Sequence, residues 1–64
     1  MRYREVVKKL RKAGWYEVRQ NGSHHQFTHA ECGYVVTVAE HGGKDIPKGT
    51  LEAIEKSTGL SLKR

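Results

Sequence analysis

Sixty-four residues, 36% hydrophobic and 30% charged, allow at most one small domain, and residues 1–64 are read as a single one. A chain of this size buries only about 60% of the surface that its unfolded form exposes, so a deep catalytic cavity is not expected and any chemistry should lie on an open face. No apolar run approaches the roughly 18 residues of a membrane span, and Met1-Arg2-Tyr3-Arg4 leads into a charged helical pattern without an apolar leader core, so a cytoplasmic location and no membrane are expected.

The net charge of +5 is unevenly spread. Residues 1–20 hold seven of the twelve basic side chains and two of the seven acidic ones, so the whole excess lies in the first third. Such a patch is the electrostatic footprint of a polyanion binder, and equally that of a solvated helix face. Cys32 is the single cysteine, so no internal disulfide can form, and Glu31 beside it disfavours a thiolate.

Tyr3, Val6, Val7 and Leu10, with Ala13 next in the series, have the spacing of an amphipathic helix over 3–13, with Arg4, Lys8, Arg11 and Lys12 opposite. Gly14 is placed to end it. Residues 15–20, rich in aromatic and β-branched side chains, read as a strand. Asn21-Gly22 is a hairpin signal, because a type I′ turn needs positive φ at both central residues. Residues 23–29 form the second strand, 30–33 a second hairpin loop, and Tyr34 to Val38 the third strand. A glycine-bearing connection (39–46) leads to a second helix over 47–58, with Pro47 at its first position, Gly59 ending it and Leu60 as an apolar contact beyond. Leu62 is placed to pack, and Lys63 and Arg64 to fray. The fold class is α+β: order α-β-β-β-α, an antiparallel three-stranded sheet with both helices on one face.

With Asn21-Gly22 as a two-residue loop, Arg19 faces His24, Val18 faces His25, Glu17 faces Gln26 and Tyr16 faces Phe27. Tyr16, Val18, His25 and Phe27 then share the core face, and Glu17, Arg19, His24 and Gln26 the open one. An open-face imidazole beside a guanidinium suits chemistry on a phosphate. Histidine exchanges a proton near neutrality, and arginine's planar fork binds phosphate oxygens. RNA brings its own nucleophile, the 2′-hydroxyl, so neither metal nor cofactor is required. His24, His25, His29, His41 and Cys32 fit no standard zinc spacing. Ser23 serves the turn, and Trp15 is expected to plug the helix–sheet corner rather than stack on a base. Arg19, Lys8, Arg11, Lys12, Lys44 and Lys48 are the candidate contacts to an RNA backbone.

The same residues carry a resemblance. Gly14-Trp15, Arg19, Gly22-Ser23-His24 with an aromatic at Phe27, Val36-Thr37-Val38, His41-Gly42, Gly49-Thr50-Leu51 and Gly59-Leu60-Ser61 together resemble the HicA (YcfA-like) family of mRNA interferase toxins, over almost the whole chain. The Gly-Ser-His element followed by an aromatic is the specific part. The resemblance implies a double-stranded RNA-binding-domain-like fold and a ribosome-independent endoribonuclease whose catalytic histidine maps onto His24, with Gly22 and Ser23 shaping the site. It also implies a HicB-type antitoxin that covers the active site; the free toxin is expected to be a monomer. The alternative is a non-catalytic RNA-binding module of the same fold. One departure is visible: where the family is expected to carry a proline after the valine strand, this chain has Ala39, then Glu40.

Overall fold

The apolar stripe near the N-terminus folds as α1, Tyr3–Lys12, in a computed structural model that describes residues 1–62. Lys63 and Arg64, expected to fray, lie outside the described residues. Val6 and Leu10 are fully buried, and Tyr3, Val7 and Ala13 pack partly against them. At the start of α1 the Glu5 carboxylate accepts the backbone N–H of Arg2 at 3.1 Å, satisfying an amide that has no partner within the helix. Ala13 caps the other end, and Gly14, at φ +99°, turns the chain into the sheet.

The sheet has three antiparallel strands in chain order: β1 (Trp15–Asn21), β2 (His24–His29) and β3 (Val35–Ala39). Phe27, Val36 and Val38 alternate onto one face and are buried, joined by Trp15. Helix α2, Lys48–Thr58, adds Ile54 to this core, and the connection before it adds Ile46. Pro47 stands just outside α2, one position earlier than the sequence reading placed it, where its missing N–H costs nothing. Gly59 takes the left-handed conformation (φ +75°) and donates its N–H to the Glu55 carbonyl at 2.8 Å. Leu60 packs against the core and Leu62 is buried. The α+β architecture, α-β-β-β-α with an open three-stranded sheet, is the one read from the sequence.

Two details of β1 depart from that reading. The hairpin closes one residue later: Asn21 pairs with His24, so Gly22 and Ser23 form the loop. Gly22 has φ +62° and no non-glycine residue among those described has positive φ. That matches a type II′ turn, which takes glycine first, and not a type I′ turn, which would force Ser23 to positive φ as well. Further along, the pairing shifts between Glu17 and Arg19, leaving Val18 as a β-bulge. The pairs are therefore Arg19 with Gln26 and Gln20 with His25 near the turn, then Glu17 with Phe27 and Tyr16 with Thr28 beyond the bulge.

The consequence is a reversal of faces in the first half of β1. Tyr16 and Val18, expected in the core, are 51% and 50% exposed. Glu17, expected on the open face, points to the core side. Moving the turn by one residue displaces every pair by two and keeps each face. The single bulged residue sets the rest back by one, which leaves a net shift of one and inverts them.

Gly14 shows how closely the helix–sheet corner is built. His29 donates from Nε2 to the Ala13 carbonyl at 3.0 Å, while its Nδ1 accepts the Glu31 backbone N–H at 3.1 Å. Trp15 lies edge-on to the same ring. A Cβ on Gly14 would stand 2.7 Å from His29 Nε2. Gly14→Ala should therefore combine left-handed strain with displacement of His29 and lower stability by about 1–3 kcal/mol in thermal or urea melts. Gly22→Ala, where a Cβ meets open space, should carry only the strain, roughly 1 kcal/mol.

Candidate functional site

Strand alternation sends the two adjacent histidines to opposite faces. His24 is exposed on the side of the sheet away from the helices, between Asn21 of β1 and Ala39 of β3. Arg19 lies on the same open face but is not directly across from His24. It pairs with Gln26, one rung further along that face, so the expected Arg19–His24 pairing is replaced by a diagonal one. Tyr16, brought out by the bulge, pairs with Thr28, which pairs in turn with the half-exposed Val35. The open face thus runs from His24 past Arg19 and Thr37 to Tyr16 and Val35. None of the positions that these rungs place on it carries a carboxylate, so nothing there opposes an anionic chain.

His25 is the contrast. It is 7% exposed and both of its ring nitrogens are held: Nδ1 by Glu17 at 2.9 Å and Nε2 by Glu40 at 3.0 Å. Two carboxylate partners require two N–H donors, which only the imidazolium has. The hydrogen bond to Glu17 is the main cause that raises the His25 pKa, opposed by burial and reinforced by Glu40. Tyr3 completes the cluster, its ring centroid 4.9 Å from that of His25. Burial, then the charges of Glu17 and Glu40, push the Tyr3 phenol up to about 12, so it stays protonated at neutral pH. His25 is therefore an anchor between strands.

The remaining candidates are dispersed. Gly22 and Ser23 form the loop beside His24. Lys8, Arg11 and Lys12 are exposed on α1, and helix geometry turns Lys8 and Lys12 directly away from the buried Val6 and Leu10. The open face carrying His24 is on the other side of the sheet, so these cations do not join it. Lys44 and Lys48 are exposed, in the connection that leaves β3 at the His24 rung and at the first residue of α2. Trp15 is buried, as its position after the helix-ending glycine implies. His41 has its Nε2 buried without a hydrogen-bond partner. Among the described residues no group of three or more His, Cys, Asp or Glu side chains is arranged to hold a metal ion, and no helix is long and apolar enough to cross a membrane.

Sequence reasoning missed Glu17 and Glu40 as partners of His25. Glu17 needed the bulge to reach the core side, and a bulge at Val18 has no glycine to announce it. Glu40 sat just past a strand whose end was placed one residue early.

The protonated anchor has a measurable consequence. A raised folded pKa means that His25 contributes its full stabilisation below the unfolded value of about 6.5 and loses it as pH rises through the folded pKa. Melting curves of the native protein and His25→Gln should therefore differ most on the acidic side of neutrality. The gap should narrow at alkaline pH, and a gap that is constant with pH would mean a neutral His25.

No curated protein matches the chain. A sequence model of the family described as HicA toxin of bacterial toxin–antitoxin systems matches residues 3–60, from the first turn of α1 to the leucine that follows Gly59. It thus spans every element described above. A toxin of such a system has a cognate antitoxin, and the chain belongs to the HicA toxin family.

Proposed function

We propose that the chain is a metal-independent endoribonuclease of mRNA in which His24 is the catalytic residue, and that a HicB-type antitoxin silences it by covering the open sheet face. One observation carries the reading. Of two adjacent histidines, one is locked between carboxylates, while the other stands exposed on a face where the sheet rungs place no carboxylate. In the reaction the 2′-hydroxyl attacks the adjacent phosphorus. The 2′-O–P bond forms as the P–O5′ bond breaks, and the proton leaves the 2′-oxygen as another reaches the 5′-oxygen. His24 exchanges the proton at one of these oxygens. Arg19, one rung away, binds the phosphate and offsets charge that develops on it. Tyr16 offers a base-stacking surface at the far end of the face. Gly22 and Ser23 keep the loop beside the cut narrow.

The helix cations act at longer range. Lys8, Arg11 and Lys12, with Lys44 and Lys48 beyond the sheet, raise the local concentration of a polyanion without touching the scissile bond.

The decisive experiment incubates purified protein with RNA in the presence of EDTA. His24→Ala should reduce cleavage by about 10²–10⁴-fold while leaving the fold and RNA binding intact. Retained cleavage would overturn the assignment, and binding without cleavage by the native protein would favour a non-catalytic RNA-binding module. Arg19→Ala should lower kcat. Joint replacement of Lys8 and Lys12 by Ala should instead raise KM at low salt only, an effect that disappears as added salt screens the charges.

A further inference from the structure

Glu40 touches the chain on both sides of His24. Its backbone N–H donates to the Ser23 carbonyl at 2.7 Å, and its carboxylate accepts from His25 Nε2 at 3.0 Å. The first bond extends the β2–β3 ladder past the His24–Ala39 pair into the hairpin loop. The second ties His25, the residue after His24, to the side chain of the same glutamate from the covered face. His25 is held in turn from β1 by Glu17, at 2.9 Å. The residue before His24 and the residue after it are therefore both hydrogen-bonded to Glu40, on either side of the His24 backbone.

Reach matters here as well. Glu40 is the first residue beyond β3, and its side chain is 49% exposed, so it is not needed to fill the core. Ala39, opposite His24, is too small to wall in the imidazole. Nothing on the open face orients the ring through a carboxylate, so its aim depends on the backbone that carries it.

We propose that Glu40 is a positioning residue that brackets Ser23–His24–His25 and holds the His24 imidazole at the angle needed for proton exchange. The proposal rests on the reading of His24 as the catalytic residue. Holding a catalytic group in register is worth a large factor in rate, since a displacement of about 1 Å can cost on the order of 10²-fold.

The test uses the full chain and two independent readouts. Backbone relaxation by NMR should show Ser23 and His24 ordered in the native protein, with order parameters near about 0.85, and loosened in Glu40→Ala, toward values below about 0.6. RNA cleavage by Glu40→Ala should fall about tenfold to a hundredfold in kcat with little change in KM. Glu40→Gln keeps an oxygen that accepts from His25 Nε2 and should recover most of both. Glu52→Ala, on the outer surface of α2, should change neither. Unaltered order at Ser23 and His24 in Glu40→Ala would overturn the proposal, and so would a rate loss carried by KM alone. If Glu40→Ala loosens the loop but native protein and His24→Ala degrade RNA equally, the bracket stands and the ribonuclease reading falls.

Discussion

One extra residue in the first strand organises the sheet. Val18 opposes nothing, and the strand on its N-terminal side is consequently out of phase with the strand on its turn side. On the turn side Gln20 pairs with His25 and Arg19 lies open; on the other side Glu17 pairs with Phe27 and Tyr16 lies open. Without the bulge Glu17 would face solvent, and His25, buried beneath α1, would lack one of its two acceptors. A buried imidazolium with an unpaired N–H is expensive, which makes the bulge and the His25 anchor one feature.

The anchor explains how a sheet this small holds a defined shape. Glu17 comes from β1, His25 from β2 and Glu40 from the residue after β3, so a single side-chain cluster crosses all three strands. Tyr3 lays its ring against His25 from α1 and joins the helix to the same point. The opposite corner is tied by His29, which bonds Ala13 at the end of α1 while Trp15 packs on its ring. Tyr34 adds a third tie, its hydroxyl donating to the Ser57 carbonyl of α2. Two of the four histidines are thus structural, which leaves the open face to His24.

This division bears on how a toxin of this size can work. A domain this small has little room for an enclosed cleft, so on the proposed reading the reacting group is exposed and its precision is supplied from behind. The covered face holds His25 between Glu17 and Glu40, and the sheet rungs place no carboxylate on the open face. On the proposed reading, a partner that silences such a site would lie over the open face of the sheet, on the side away from the basic surface of α1.

Much of this was legible in the sequence because it depends on local rules. Hydrophobic spacing located both helices, glycines marked their ends, and β-branched runs located the strands. Alternation within β2 is a property of one strand, so it separated His24 from His25 whatever the pairing. The shift of the turn from Asn21-Gly22 to Gly22-Ser23 moved the register by an even step and left that separation intact. What tertiary structure alone decided was the phase of β1 against β2. A bulge at a valine has no distinctive residue type, and what it does here is bring Glu17 to a buried histidine that is distant in sequence. The same holds for Glu40, whose role depends on where β3 ends relative to the hairpin loop. Interactions between partners 8 and 15 residues apart answer to the geometry of the assembled sheet, and no pattern within either strand encodes them.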